Sequence, residues 1–382
     1  MWPEARSFSG KCSRNVLNEG MTTGSSRFDP KHRAKGRAAA SNVTGRFERF
    51  QHVAEDDGWD LAEEMPVLRT HVSIEDPRRV ITYNRSPDLP FDRSVNPYRG
   101  CEHGCIYCFA RPSHAYLGMS PGLDFETRLV AKKDAAQRLD AELRARGYRV
   151  APIAFGTNTD PYQPIEKNHG IMRDCLIVLK RFRHPVAIVT KGTLIERDID
   201  ILAELAADGL VRVGISVTTL DTRLSRLMEP RVPAPARRLK VIERLSRAGV
   251  PVRLMVSPVV PALTDPELEA ILSAGRSAGA TSASWIMLRL PREVSPLWQD
   301  WLAEHYPDRA DRIMARVREM HGGADYDARW GHRMRGEGAY AEMVAQRFKL
   351  ASRRLGLHHK QPELRCDLFR VPARAGDQLT LL

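Results

Sequence analysis

The stretch "NPYRGCEHGCIYCFARPSHA", residues 96–115, carries three of the six cysteines of this 382-residue chain. Cys101, Cys105 and Cys108 fall within eight residues, whereas the other three cysteines are scattered. In a reducing compartment, clustered thiols are metal ligands or catalysts more often than they are disulfides. The spacing Cys-x3-Cys-x2-Cys therefore predicts a metal centre on one loop.

Two kinds of metal centre are open to three thiols at this spacing. A structural zinc site usually takes four ligands, and either His103 or His114 is available as the fourth. A [4Fe–4S] cluster normally takes four thiolates, so that a set of three leaves one iron without a protein ligand. Such an iron is a coordination site for another molecule, as the open position of a catalytic zinc is.

The sequence around the cysteines alternates between strand and helix patterns. Short apolar runs rich in β-branched residues predict strands near 93–97 and at 149–155, 185–190, 210–216, 250–256 and 282–290. Apolar residues spaced three or four apart predict helices at 131–146, 170–182, 195–209, 233–249 and 266–279. This alternation predicts a parallel sheet with helices on its faces, either a barrel or a doubly wound sheet. In a barrel, the loops at the carboxyl ends of the strands build the active site, and the cysteine loop follows the first strand.

The chain divides into three regions. Residues 1–50 hold ten lysines or arginines and four acidic residues, which is half of the net charge of +12. Their composition predicts a basic tail that is disordered or draped over the surface, either a solvated leader or a nucleic-acid contact; Met21 is an alternative start. Residues 75–290 are expected to form the core. Residues 291–382 are expected to form a helical extension with a final tail.

Composition narrows the cellular context. The net charge of +12 and the pI near 9.6 favour an acidic partner, nucleic acid first among them. No run approaches the ~20 apolar residues that a membrane helix needs, and the basic start is not followed by the apolar segment of a secretory signal. We therefore expect a cytoplasmic protein without a membrane partner.

The cysteine loop resembles that of the radical S-adenosylmethionine (SAM) enzymes, with Cys-x3-Cys-x2-Cys and an aromatic residue, Tyr107, before the last cysteine. The resemblance implies a partial (β/α)6 barrel and a [4Fe–4S] cluster on Cys101, Cys105 and Cys108. In that superfamily the open iron binds SAM, and an electron from a donor such as flavodoxin or ferredoxin cleaves the C5′–S bond. The resulting 5′-deoxyadenosyl radical abstracts hydrogen from the substrate, in lyase- or transferase-like reactions.

The resemblance extends over residues 75–290 and is specific to one branch. The segments "TNTDPYQPIEK", "VTKG" and "EPRVPAPARRL" look like the branch of spore photoproduct lyase and its DNA-repair-photolyase-like relatives. The segments "KGRAAASN" and "CDLFR" are typical of one bacterial subgroup of that branch. One departure is that spore photoproduct lyase uses an extra cysteine near the end of the second strand, where this chain reads "IAFGTNTDPYQP". Cys175 comes later, on the apolar face of a predicted helix, and is expected to belong to the core.

Other candidate site residues follow the predicted strands. Thr157, Asn158, Thr159 and Asp160 form a polar run after the second strand, which suits a polar ligand but also an ordinary turn. The resemblance implies that this run grips the methionyl group of SAM and that Tyr107 lies near the adenine. It also implies roles in SAM binding for two residues at the ends of the next strands, Lys191 and Ser216.

Four further residues lie near or beyond these strand ends. Glu229 and Arg231 either line the substrate mouth or pair with each other. Arg237 and Arg238, on the following helix, are expected at the solvated surface.

Two other functions compete with this interpretation. The first is a non-enzymatic, zinc-stapled nucleic-acid-binding protein. The second is an enzyme of the same radical chemistry that acts on a protein or a small metabolite, in which case the basic tail is incidental.

Overall fold

A computed structural model of the protein describes residues 36–47 and 68–373. Most of the predicted tail, residues 1–35 and 48–50, lies outside this part. No helix among the described residues is long and apolar enough to cross a membrane.

The described strands form one large and one small sheet. In chain order they are β1 (His71–Glu75), β2 (Ile81–Tyr83), β3 (Arg93–Val95), β4 (Tyr98–Arg99), β5 (Arg128–Lys132), β6 (Ile153–Phe155), β7 (Val186–Thr190), β8 (Val211–Ser216), β9 (Val252–Val259) and β10 (Ser282–Met287). The large sheet has the order β10-β9-β8-β7-β6-β3-β2, and its neighbours are parallel except for β2, which is antiparallel to β3. Six parallel strands in sequential order confirm the predicted partial barrel. The two edge strands of this sheet do not pair, so the barrel is open.

Helices connect these strands and continue after the last one. The described α-helices are α1 (Asp124–Thr127), α2 (Ala135–Leu143), α3 (Glu166–His169), α4 (Ile171–Arg181), α5 (Ile199–Ala207), α6 (Thr222–Met228), α7 (Pro235–Arg247), α8 (Leu268–Ser277), α9 (Val294–His305), α10 (Pro307–Met320) and α11 (Gly338–Arg354). Short 3₁₀ helices span Arg111–Leu117, Leu194–Asp198 and Asp265–Glu267. Helix α7 illustrates the local rules, because it begins with a proline at its first position and Gly249 follows it with a positive φ of 78°.

The core has two main parts. The larger one lies between the large sheet and the helices α2, α4, α5, α7 and α8, and it contains the alternate residues of each strand, such as Val213 and Ile215 of β8. The second part joins Cys105, Ile106 and Tyr107 to α9 and α10. In the helical extension predicted after residue 290, α9 and α10 therefore pack on the side of the cysteine loop, whereas α11 packs on α8.

Three local expectations needed correction. Residues 128–132 form β5, which pairs with β1 and β4 in a small sheet, so the helix predicted at 131–146 begins only at Ala135. The strand predicted at 149–155 is limited to 153–155. Residues 36–47, expected within a tail that is disordered or draped over the surface, are docked rather than disordered, and Ala39 is fully buried. In each case the observed structure depends on pairing or docking with a distant segment, and local sequence propensity does not predict such contacts.

Candidate metal centre and active site

The cysteine loop, residues 100–108, lies at the carboxyl ends of the parallel strands, just after β3. Two backbone hydrogen bonds hold it, from the amide of Cys101 to the carbonyl of Phe125 (2.9 Å) and from the amide of Ile106 to the carbonyl of Met228 (3.0 Å). Gly100 has a φ of +73°, and a Cβ there would lie 2.9 Å from the Phe125 carbonyl oxygen, so the turn needs glycine. The loop is thus fastened to α1 and to the last residue of α6.

The three thiols of the loop are free and largely shielded from water. Cys101 and Cys105 are 7% and 8% exposed, and Cys108 is half-buried. Burial raises the pKa of all three thiols, and for Cys101 the charges of Asp160 and of the two neighbouring thiols add to the effect. The thiols therefore lie within electrostatic reach of one another, and binding of a metal would release their protons.

The three thiols and the nearby histidines of this loop are not arranged around a single ion. Among the described residues, no group of three His, Cys, Asp or Glu side chains is placed to hold one metal ion. Each of the two histidines considered as zinc ligands has one ring nitrogen in a contact, His103 Nδ1 at 3.3 Å from Asp160 Oδ2 and His114 Nε2 at 2.9 Å from the carbonyl oxygen of Arg128, and neither converges with the thiols on one ion. Zinc ligands converge on one ion, whereas the thiolates of a four-iron cluster each bind a different iron.

Asp160 connects three elements at this end of the barrel. Its Oδ1 accepts hydrogen bonds from Thr190 Oγ1 (2.6 Å) and from the amide of Tyr162 (2.9 Å). Its Oδ2 accepts one from the amide of Lys191 (2.8 Å) and contacts His103 of the cysteine loop. Burial alone would raise the pKa of Asp160, but the imidazole and these hydrogen bonds hold it below its usual value.

Asn96, which sequence analysis missed, organises the polar run after β6. Its Oδ1 accepts hydrogen bonds from the amides of Asn158 (3.1 Å) and Thr159 (3.4 Å), and its Nδ2 donates to Thr157 Oγ1 (3.2 Å). Thr159 is buried and donates from Oγ1 to the carbonyl of Tyr98 (3.0 Å). The sequence signal that could have identified Asn96 is its position, directly after strand β3 and just before the cysteine loop.

Tyr107 belongs to a buried polar network that reaches helix α7. Its hydroxyl donates a hydrogen bond to Glu229 and lies 3.3 Å from Thr218 Oγ1. Glu229 is fully buried and pairs with Arg238, which is also fully buried, at 2.8 Å. Burial raises the pKa of Tyr107 well above its usual range, and the charge of Glu229 adds to this. Burial also favours protonation of Glu229, but the charges of Arg238 and Lys191 hold its pKa below the usual value.

One of the two alternatives for Glu229 and Arg231, that they pair with each other, is wrong, and so is the surface position expected for Arg238. Glu229 and Arg231 do not pair with each other, because Glu229 binds Arg238 and Arg231 binds Glu102 at 2.8 Å. Arg238 is buried and not at the surface, because it lies on the same face of α7 as the buried residues Val241, Ile242 and Leu245.

Arg237, its neighbour, is partly exposed and pairs with Glu196 at 2.5 Å, in agreement with the surface position expected for it.

The remaining candidates occupy the ends of β7 and β8. Lys191 Nζ lies 5.7 Å from the centre of the Tyr107 ring and 3.5 Å from the carbonyl oxygen of Ser257. Ser216 is buried, and its carbonyl accepts a hydrogen bond from Arg238 (3.0 Å). The structure thus brings Lys191 and Tyr107 together, while Ser216 is joined to them through Arg238 and Glu229.

Comparisons with known proteins agree with this architecture. The Radical SAM superfamily model matches residues 95–274. An uncharacterized protein of Mycobacterium tuberculosis is 36% identical over 291 residues, which cover 75% of this chain and 82% of that protein. An uncharacterized protein of Methanocaldococcus jannaschii is 25% identical over 173 residues, which cover 45% of this chain and 62% of that protein.

Solved structures show the same fold. Spore photoproduct lyase complexed with dinucleoside spore photoproduct superposes with a TM-score of 0.52 at 14% identity, covering 74% of this chain and 78% of that chain. At this identity the likeness shows the fold alone. The segment matched by the family model carries the cysteine motif and places the protein: the chain belongs to the radical SAM superfamily, and its fold is similar to that of spore photoproduct lyase.

Proposed function

We propose that the protein holds a [4Fe–4S] cluster on Cys101, Cys105 and Cys108 and binds SAM at the iron that these residues leave open. As a radical SAM enzyme it uses an iron–sulfur cluster and SAM. The observation that carries the cluster type is the donor set: three thiols lie on one loop, two of them buried and Cys108 half-buried, and among the described residues no three His, Cys, Asp or Glu side chains converge on a single ion.

When bound, the cluster and SAM together supply reductive cleavage of the C5′–S bond and hydrogen abstraction from a substrate. The protein's own residues position the ligand and exclude water. Lys191 is suited to bind the carboxylate of SAM, because its charge already acts on Cys105 and Cys108. Tyr107 is suited to the adenine side.

The polar run after β6 has two different tasks in this proposal. Thr157, Asn158 and Thr159 present backbone groups to the methionyl part of SAM, in a conformation that Asn96 stabilises. Asp160 acts as a positioning residue, because its oxygens already accept the hydrogen bonds that hold the end of β7. Ser216 contacts SAM from the end of β8.

We propose nucleic acid as the substrate class. Arg289, directly beyond β10, is half-buried and stacks at 4.2 Å on the ring of Phe109. Within the described residues it makes no hydrogen bond or ion pair, although the charge of Asp88 acts on it from a distance. A half-buried guanidinium that no carboxylate contacts directly is partly desolvated, and a bound anion would compensate that cost. It lies within electrostatic reach of Cys108, where a phosphate of the substrate would meet it beside an aromatic ring.

The hydrogen relay of spore photoproduct lyase is not part of this proposal. Cys175 lies on α4 in the core and is fully buried, with burial raising its pKa, and no cysteine follows β6 before it. The reaction on nucleic acid therefore differs from lesion reversal through a cysteine near β6.

Anaerobic reconstitution with iron and sulfide tests the proposal. We expect about four irons per chain, a broad absorption band in the ~400 nm region, and 5′-deoxyadenosine when SAM and a reductant such as reduced flavodoxin are added. One colourless zinc per chain and no SAM cleavage would instead identify the zinc-stapled binding protein. The molecule that copurifies anaerobically, whether nucleic acid, peptide or metabolite, decides among the substrate classes.

A further inference from the structure

Residues 36–47, called the strap below, pack against the cysteine loop. Arg37 and Ala38 are each 3% exposed and Ala39 is fully buried. Ala38 belongs to the same apolar cluster as Cys105. The strap contains most of the "KGRAAASN" segment, which the chemistry proposed above leaves without a role.

The strap is held by a buried carboxylate. Glu126 is fully buried, and its side chain accepts hydrogen bonds from the amides of Ala38 (3.2 Å) and Ala39 (3.0 Å). Arg37 in turn donates from Nη1 to the backbone carbonyl of Glu126 (2.8 Å). The first residues of the strap are thus bound to one residue that lies between the cysteine loop and β5.

The same carboxylate is paired with a buried arginine that grips the cysteine loop. Arg111 is fully buried and lies 2.5 Å from Glu126. It donates from Nε to the carbonyl of Cys105 (3.0 Å) and from Nη2 to that of Gly104 (3.0 Å). Its Nη1 donates to the carbonyls of residues 121–122, at 3.0 and 2.9 Å. All five N–H groups of the guanidinium are therefore used, and they connect loop carbonyls to the strap through Glu126.

The approach of these parts is close enough to require glycine at two positions. A Cβ on Gly104, whose φ is +66°, would lie 2.6 Å from Glu126 Oε2. A Cβ on Gly122 would lie 2.2 Å from the carbonyl oxygen of Ser41 in the strap. The Glu126 carboxylate is thus in direct contact with the backbone of the cysteine loop at Gly104, and the strap backbone is in direct contact with that of Gly122.

The exposed end of the strap is fastened separately. Asn42 and Asp124 exchange two hydrogen bonds, from Asn42 Nδ2 to Asp124 Oδ1 (3.1 Å) and from the amide of Asp124 to Asn42 Oδ1 (3.0 Å). Arg46 pairs with Glu293 at 2.6 Å, close to the start of α9. The strap therefore runs from the cysteine loop to the region beyond β10.

We infer that the strap and the Glu126–Arg111 pair are positioning elements for Cys105, which hold its backbone and cover its thiol. They act through Cys105 and touch no reacting atom. The inference rests on the proposed function in taking Cys105 as a cluster ligand. It assigns to the strap the task of keeping the loop in its ligating conformation before and after the cluster is inserted.

The test is alkylation of the metal-free, reduced, full-length chain with iodoacetamide, followed by peptide mapping. Ala38→Pro removes one amide that Glu126 binds and leaves every cysteine in place. We expect the alkylation rate at Cys105 to rise roughly tenfold, because local opening exposes a covered thiol, while Cys175 stays protected. A Cys105 rate within about twofold of wild type overturns the inference.

Two controls accompany this test: the alkylation of Cys175 reports unfolding, and the iron content reports cluster binding. If Cys175 also reacts in Ala38→Pro, that variant has unfolded, and Asn42→Ala at the exposed end of the strap decides instead. We expect a severalfold rise at Cys105 in Asn42→Ala, and an unchanged rate there overturns the inference. Iron bound after reconstitution is then counted in wild type and variants. A wild type that takes up no iron contradicts the proposed function, while the alkylation rates still decide the role of the strap.

Discussion

The ammonium group of Lys191 lies 5.7 Å from the centre of the Tyr107 ring, so the carboxyl end of β7 contacts the cysteine loop. At this distance the cation is attracted by the face of the ring. The lysine amide is held by Asp160 (2.8 Å), which also contacts His103 of the same loop. A cation is therefore fixed beside two of the proposed cluster ligands.

Replacement of Lys191 tests its role in SAM binding. Lys191→Ala should keep the iron, because the cysteines are untouched, and should weaken SAM binding ten- to a hundredfold. That factor corresponds to the ~1.5–3 kcal/mol of a charge-assisted hydrogen bond. Lys191→Arg should restore only part of the affinity, since a planar fork replaces a point charge. The measurement is a titration of SAM against anaerobic protein with iron counted in each sample, and equal affinities would exclude the contact.

The cysteine loop makes a second prediction, with a matched control in the core. Cys105→Ala should abolish cluster binding and all cleavage of SAM, because two thiolates remain where three are needed. Cys175→Ala should change neither, since that thiol lies in the apolar core on α4. Iron, sulfide and 5′-deoxyadenosine are measured after anaerobic reconstitution of both variants. Full iron content in Cys105→Ala would refute the ligand assignment.

Two adjacent arginines provide a third prediction, on stability. Arg238→Ala should lower the free energy of unfolding by about 3–5 kcal/mol, because it leaves the buried Glu229 charge without its partner. Arg237→Ala should change it by about 0–1 kcal/mol, since the pair with Glu196 is partly exposed. Urea unfolding of the two variants beside wild type checks the difference. Similar losses in both would contradict the buried network.

Arg289 allows a fourth prediction about the substrate. Arg289→Ala should weaken binding of a single-stranded oligonucleotide about tenfold or more, as expected for loss of a charge-assisted contact. The slope of log K against log salt should flatten by about 0.7, the value for one phosphate on a single strand. Fluorescence anisotropy at several salt concentrations measures both quantities.

The control for Arg289 is Arg247→Ala, on the outer surface of α7. Its side chain is 75% exposed and pairs with Glu243, so its removal should leave oligonucleotide binding unchanged. Equal effects of the two substitutions would mean that only overall charge matters, and no effect of either would favour a protein or metabolite substrate.

Local patterns in the sequence were sufficient to predict the barrel and the position of the cysteine loop in it. The six parallel strands lie within or beside the predicted apolar runs, because alternation and helical periodicity are properties of neighbouring residues. The cysteine spacing is local in the same way, and its place after the first strand followed from the β/α order. Arg238 also had a local signal, since it shares the spacing of the apolar stripe of α7.

Contacts between distant segments were decided only by the tertiary structure. The partner of Glu229 lies on the next helix, Asn96 acts on a loop after another strand, and the strap docks on Glu126 although its composition resembles a free tail. A buried carboxylate needs hydrogen-bond donors, but the identity of the residue does not predict which segment of the chain supplies them. Sequence alone determined the order of strands and helices and the place of the three cysteines, whereas folding determined which side chains surround them, because burial and pairing depend on segments brought together in space.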